Sequence, residues 1–342
     1  MDKVKLGLIG LGYIGKVHLL NCLKLREAQL VAVADVSPKA LNMAKKMGVA
    51  KIYQDYHELL QDSEIDAVII ALPTYLHAEC AKIAAENHKH VLLEKPLARN
   101  VNEGEEIVRA AKKHGIKLMV GHTARYNKVY KDLKKEIDEG ILGEIQVAYA
   151  VNVSTGPFTH RSEEGTPKPV PEWWWKKELT GGGALLDLGS HMINLTRWFF
   201  GEVVDVESYM GYRYNLEQED YAICILKFKS GPVAIINVGW FSLRGIVKLE
   251  VYGTTGSATA SYSSPSRVIK AIQLILKKIP GFYIPYLNEV QHFVECIEKD
   301  VQPQPSGEDA LEDLKIIEKA YKNAKTLSSY TTLKWRLRDG LL

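Results

Sequence analysis

Cysteine is scarce in this chain, and no two cysteines stand close together. Cys22, Cys80, Cys224 and Cys296 are widely spaced and form no CxxC pair. That excludes a zinc ribbon or a disulfide-stapled fold and predicts reduced, buried thiols in a cytoplasmic protein. Long apolar runs are missing too. No stretch approaches the roughly 18 residues of a membrane span, and Met1-Asp2-Lys3-Val4 leads straight into a strand pattern. Neither a membrane anchor nor a signal peptide is expected. Charge of one sign is lacking: 44 Lys and Arg face 41 Asp and Glu, a net +3. Such a balance argues against a dedicated nucleic-acid binder, which needs a basic patch to neutralise phosphates. Repeats and low-complexity tracts are also absent. What remains is a globular chain of 342 residues, long for one domain of roughly 100–200 residues.

Short apolar runs at 4–9, 30–34, 67–72, 90–93 and 116–120 alternate with helical patterns at 14–25, 77–87 and 102–114. Ser37-Pro38 opens a further helix, with Ser37 as its N-cap. Strands alternating with helices predict a doubly wound parallel sheet covered on both faces. The rhythm changes after Gly121. A helix over 128–139 precedes longer strand-like runs at 146–153, 203–212, 221–229, 233–240 and 247–253, and a last helix is expected over 308–326. The fold class is therefore α/β: a Rossmann-type domain over 1–121, then an α+β domain over 122–342 with a large open, mostly antiparallel sheet. Within 265–286, Ile269, Ile272, Leu276 and Ile279 share one helical face, read as a packing or subunit-contact stripe.

Gly10-Leu11-Gly12-Tyr13-Ile14-Gly15 is a GxGxxG that follows a strand and opens a helix. Gly10 permits the tight turn, Gly12 lets the backbone approach a pyrophosphate, and Gly15 lets helix and strand pack closely. The helix N-terminus offers unpaired N–H groups to the phosphates. Asp35 falls 20 residues past Gly15, at the end of the second strand. A carboxylate there accepts from both ribose hydroxyls and repels a 2′-phosphate. Val36 and Ser37 bring no arginine to that phosphate, although Lys39 is near. NAD is favoured over NADP.

Two further clusters carry chemistry. Glu94-Lys95-Pro96 ends an apolar strand at the edge where an open α/β sheet binds its ligands. The Lys95 ammonium can reach a nicotinamide ribose or stabilise a developing alkoxide; the alternative is a lysine that merely follows a strand. Thr180-Gly181-Gly182-Gly183 precedes a helical pattern with Asp187 and His191 four apart, on one face. A histidine beside a carboxylate suits a general base; a buried, structurally paired Asp–His is the other reading.

Taken in order, GLGYIG, Pro73-Thr74 with His77, Glu94-Lys95-Pro96, Gly121-His122 with Arg125 and Asn127, and the glycine-rich Asp187/His191 helix resemble the glucose–fructose oxidoreductase/inositol dehydrogenase (Gfo/Idh/MocA) family. The likeness runs from residue 4 to about 325, through Gly253-Thr254-Thr255-Gly256 and Ser306-Gly307-Glu308-Asp309. It implies a cofactor surface of Gly10, Gly12, Tyr13, Ile14, Gly15, Asp35, Pro73, Thr74, His77, Glu94 and Lys95. It also implies that Lys95 binds substrate and cofactor, that the Lys95–Pro96 bond can be cis, and that His191 is the base with Asp187 its partner or a further substrate contact. It implies a homodimer or homotetramer built on the open sheet. One departure stands out: many members carry Asp three residues after the histidine, and here that residue is Asn194.

The implied reaction is NAD-dependent oxidation of a secondary hydroxyl of a sugar, inositol or sugar derivative, with no metal. Trp173-Trp174-Trp175 lies in the long segment 156–177, where Trp174 can stack on a ring. Three consecutive indoles cannot all face one ligand. Arg161 in the same segment suits a carboxylate or a diphosphate. Competing readings are a nucleotide-sugar 3-dehydrogenase, an NAD-assisted glycosidase or eliminase, and a non-catalytic NAD sensor. Retention of Lys95, Asp187 and His191 together argues against the last.

Overall fold

The computed structural model describes residues 3–159, 170–214, 216–242, 245–262 and 284–327. Arg161 and most of the 265–286 stripe lie outside the described residues. The chain divides into two units: 1–132 with 264–315, and 133–263 with 316–342.

The first unit is a six-stranded parallel sheet. Strands β1 (Val4–Ile9), β2 (Ala28–Ala34), β3 (Lys51–Tyr53), β4 (Ala67–Ile70), β5 (His90–Glu94) and β6 (Leu118–Gly121) lie in the order β3-β2-β1-β4-β5-β6. Ala67, Val68, Ile69 and Ile70 are all fully buried, which is why β4 reads as an unbroken apolar run. Helix α1 (Tyr13–Cys22) follows the glycine turn. Helix α2 (Pro38–Lys46) starts as expected, with Ser37 Oγ accepting from the Ala40 N–H at 3.4 Å. Helices α3 (Tyr56–Gln61), α4 (His77–Glu86) and α5 (Val101–Lys113) complete the crossovers. Asn100 caps α5 through the Glu103 N–H at 3.0 Å.

By compactness, residues 122–132 and 264–315 group with the first unit. Helix Ile284–Glu298 buries Val290, Phe293 and Val294 in one core with Leu6, Leu8, Ile69, Leu92 and Met119. A late segment thus returns to cover the first sheet, a long-range packing that local periodicity does not reveal.

The second unit carries a mixed, mostly antiparallel seven-stranded sheet. Strands β7 (Ile145–Val153), β8 (Val203–Gly211), β9 (Tyr221–Phe228), β10 (Val233–Gly239), β11 (Ile246–Gly253), β12 (Ser257–Tyr262) and β13 (Ala324–Thr326) lie in the order β12-β11-β7-β10-β9-β8-β13. One face is packed: Val206, Leu226, Ala234, Ala148 and Val251 are register neighbours, and each is essentially fully buried. On the other face Glu207, Ile225, Ile235, Tyr149 and Glu250 form a matching row, with Tyr149 exposed. The expected last helix is shorter than its pattern. It spans Gly307–Lys322, and Ala324–Thr326 instead pairs in parallel with Ser208–Met210 of β8. Edge pairing there outweighs helix propensity, because among the described residues β8 has no other strand on that side.

Candidate active site

Register sets the ligand-binding edge of the first sheet. Ala34, Ile9, Ile70 and Leu93 are neighbours across the parallel sheet. The residues that follow them, Asp35, Gly10, Ala71 and Glu94, therefore emerge along one edge, at the carboxyl ends of the strands. The strand order reverses between β1 and β4, which is where such sheets bind ligands.

Each glycine of the turn has a distinct steric reason. Gly10 has φ +90°, and a Cβ there would fall 2.5 Å from the Ala71 carbonyl oxygen. A Cβ on Gly15 would sit 1.9 Å from the Gly10 carbonyl oxygen. At Gly12 a Cβ would meet nothing within 4 Å, so its surroundings are open. Among the described residues no side chain caps the N-terminus of α1. An open glycine before an uncapped helix start fits a dinucleotide pyrophosphate. Tyr13 is exposed and Ile14 half-buried on the first turn of α1.

Asp35 does more than the pattern indicated. Its Oδ2 accepts the Leu11 N–H at 2.6 Å and its Oδ1 accepts the Ser37 N–H at 2.7 Å. The carboxylate thus staples the glycine turn to the end of β2, and its remaining lone pairs are the ones a ribose can meet. Val36, beside it, is 89% exposed.

Pro73 and Thr74 begin a 3₁₀ turn after β4. The His77 ring is buried, with Nδ1 2.9 Å from the Pro96 carbonyl oxygen and Nε2 2.9 Å from that of Leu72. A neutral imidazole carries one N–H, so the ring donates to one of these two strand-end carbonyls, set by its tautomer. Burial holds its pKa below the usual histidine range, against the pull of those carbonyls. The Lys95–Pro96 bond is cis, and Lys95 is half-buried on that turn. Glu94 turns inward: its Oε1 lies 2.6 Å from His18 Nε2. The His77 and Glu94 side chains, both expected at the cofactor surface, are spent inside the unit. The donor atoms of His18, Glu94 and Glu289 lie within 4.8 Å of one another, and all three residues are buried. Burial, then the Glu94 charge, holds Glu289 well above the usual carboxylate range.

Asp187 and His191 belong to the second unit. Gly181, at φ +83°, ends the short helix α6 (Lys177–Thr180). The chain then makes a π-helical turn over Leu185–Gly189 before the helix Ser190–Phe200. Asp187 and His191 therefore straddle a π-to-α junction, not the single α-helical face their spacing suggested; a π turn is wider, and such turns gather at functional sites. Both side chains are half-buried. The buried Trp240 indole donates to Asp187 Oδ2 at 3.2 Å. Trp174 meets Trp240 edge-on, centroids 6.5 Å apart, and stacks on Trp173 at 5.1 Å.

Two residues escaped the sequence reading. Trp240 sits one place past β10 and looked like a strand end. Glu219 stands just before β9, outside every motif read from the sequence, yet it is buried and accepts the N–H groups of Gly183 and Leu185. A run of four polar residues, Glu217-Gln218-Glu219-Asp220, leading into a strand was the available signal.

These features define a dinucleotide-binding oxidoreductase. A family model described as "Oxidoreductase family, NAD-binding Rossmann fold" matches residues 4–122, and one described as "GFO/IDH/MocA C-terminal domain" matches 130–259. The chain belongs to the Gfo/Idh/MocA family and is a dehydrogenase acting on CH–OH groups. It is 30% identical to an uncharacterized oxidoreductase YrbE of Bacillus subtilis, over 90% of each chain. It is 28% identical to a myo-inositol 2-dehydrogenase of Thermotoga maritima, over 90% of this chain and 92% of that one. Among solved structures, the WlbA dehydrogenase of Bordetella pertussis, in complex with NADH and UDP-GlcNAcA, superposes with a TM-score of 0.79 at 25% identity. That match covers 94% of this chain and 95% of the other.

Proposed function

We propose that the chain oxidises a secondary hydroxyl of a cyclitol or hexose to a ketone, reversibly, with NAD as acceptor. The observation that carries this reading is the fixing of Asp187 by the Trp240 indole at the π-to-α junction that bears His191. A carboxylate held there stabilises an imidazolium, which a general base must become. His191 takes the hydroxyl proton, and the Lys95 ammonium stabilises the charge building on oxygen. Bound NAD supplies the hydride acceptor at the nicotinamide C4. The Gly10–Gly15 turn, Pro73 and Thr74 hold the dinucleotide, and Asp35 holds its ribose. Asp35, followed in the chain by the exposed Val36 and by Ser37 instead of an arginine, supports NAD over NADP. Trp174, set against Trp240, supports a ring-stacking role on the apolar face of a polyol.

A cyclitol is favoured over a nucleotide sugar by the myo-inositol 2-dehydrogenase among the relatives; the WlbA neighbour keeps a UDP-sugar as the second reading. A panel of cyclitols, hexoses and UDP-sugars, scored at 340 nm for NADH formation, tests both. Formation with a cyclitol or hexose supports the first reading, formation with UDP-sugars alone the second, and formation with none removes both.

The open sheet face is the proposed homo-oligomer surface. Ile225, Ile235 and Tyr149 form its apolar centre between Glu207 and Glu250, the arrangement of an interface core with a charged rim.

A further inference from the structure

Glu219 has no place in the reaction above, yet it is one of the most completely engaged acids in its unit. It is 1% exposed. Its Oε2 accepts the Gly183 N–H at 3.1 Å; its Oε1 accepts the Leu185 N–H at 2.8 Å and the Tyr321 hydroxyl at 2.9 Å. Its backbone carbonyl takes the Ala184 N–H at 3.0 Å. One residue therefore receives three successive N–H groups, those of Gly183, Ala184 and Leu185, at the entry to the π turn that carries Asp187.

The glycines of that entry are explained by the same residue. A Cβ on Gly183 would fall 1.9 Å from the Glu219 carbonyl oxygen and 2.9 Å from its carboxyl carbon. A Cβ on Gly182 would fall 2.2 Å from the Tyr321 hydroxyl. The Gly-Gly pair is thus the shape of the Glu219–Tyr321 pair seen from the other side. The Asp187 N–H then bonds the Gly183 carbonyl at 3.0 Å, so the position of Gly183 passes directly to Asp187.

We propose that Glu219 is a positioning residue for Asp187 and His191, and that only its carboxylate form sets the turn. The proposal rests on the assignment of His191 as base given above. The reason is donor–acceptor arithmetic. A carboxylate has acceptor capacity on both oxygens for two N–H groups and a hydroxyl; a protonated carboxyl turns one oxygen into a donor facing an N–H. Anionic acceptors also make the stronger bonds to backbone N–H groups.

Burial pushes the Glu219 carboxyl up to about 7, against the lowering effect of its own hydrogen bonds. The titratable groups facing it are Tyr321, Tyr212 and Cys224, with Lys177 over the Tyr321 ring at 5.9 Å and Asp220 next in the chain. Burial raises both tyrosines above their ordinary value and pushes Cys224 up to about 12. Asp220 is raised by burial but accepts the Tyr214 N–H at 2.7 Å. Glu219 is the acid of this cluster that burial brings to about 7 while its carboxylate oxygens hold the turn's N–H groups.

The test is the pH profile of kcat in wild type, Glu219→Gln, Glu219→Asp and Tyr321→Phe, from about pH 5.5 to 9. NADH affinity is measured alongside. Glu219→Gln should lower kcat roughly ten- to a hundredfold, the worth of a hydrogen bond to a charged group, and remove one ionisation from the acid limb. NADH affinity should not change. Glu219→Asp should restore part of kcat together with the ionisation. A Gln variant with wild-type kcat and an unchanged acid limb overturns the proposal.

Should Glu219→Gln not fold, wild type and Tyr321→Phe still decide. Exchange of the Gly183 and Leu185 amides, corrected for intrinsic rates, should lose protection as pH falls through about 7 in wild type. Loss should begin at higher pH in Tyr321→Phe, which withdraws one donor from the carboxylate. Protection independent of pH in both overturns the proposal. Failure of the His191 assignment is read separately, from a His191→Ala enzyme that still turns over.

Discussion

Asp35 accepts the backbone N–H of Leu11 at 2.6 Å, so one carboxylate joins the end of β2 to the glycine turn. Asp35→Ala should therefore do two things. It should cost about 1–3 kcal/mol of stability by orphaning N–H groups. It should also raise kcat/KM with NADP relative to NAD. Thermal unfolding and parallel assays with the two cofactors check both. A variant with unchanged Tm shows that the staple carries no load, and wild type using NADP as well as NAD removes the ribose assignment.

Gly12 and Gly15 should respond oppositely to the same methyl group. Gly15→Ala forces a Cβ to within 1.9 Å of the Gly10 carbonyl oxygen, and overpacking of that kind costs about 1–3 kcal/mol. Gly12→Ala meets nothing within 4 Å. Its Tm should stay near wild type while NADH affinity falls, because the methyl occupies the pyrophosphate's approach. Equal effects of the two variants on Tm would refute this division.

Glu289 supplies a pH test of the buried cluster. Burial and the Glu94 charge raise its pKa in the folded chain, so the native state retains a proton that the unfolded chain releases above about pH 4.3. Between those two values the contribution of Glu289 to stability falls as pH rises. Glu289→Gln keeps the protonated shape and lacks this loss. Its Tm should exceed wild type at about pH 8 and match it near pH 4. A Tm below wild type at both would mean that the charged form is required.

The parallel sheet was legible because its cues are local: fully buried strands read as apolar runs, Ser37 caps α2, and Gly10, Gly12 and Gly15 answer to contacts within their own turn. Asp35 was legible in position, while its hold on Leu11 depended on two strand ends meeting. Other features were hidden because they are made by distant partners. The return of residues 284–298 to the first core, the 324–326 edge strand, and Glu219 reaching Gly183 all join segments far apart in sequence. The π turn defeats a spacing rule built on 3.6 residues per turn, so the four-residue separation of Asp187 and His191 gave their proximity in the chain but not their geometry.

The open sheet face offers a test of assembly. Ile235 lies between Ile225 and Tyr149 on that face, so Ile235→Asp places a charge at its centre. Sedimentation should show wild type as an oligomer and the variant shifted toward monomer, with the sheet's circular dichroism retained. A wild-type chain that sediments as a monomer rejects this surface.

In the proposed reaction His191 removes the substrate proton, and residues of the first unit hold NAD. The direct measurement is NADH formation at 340 nm by wild type and His191→Ala on the polyol that wild type accepts, with NADH binding titrated in both. Loss of a general base predicts turnover reduced by roughly 10²–10⁴-fold, with NADH affinity unchanged. A His191→Ala enzyme that keeps most of its kcat would show that His191 is not the base.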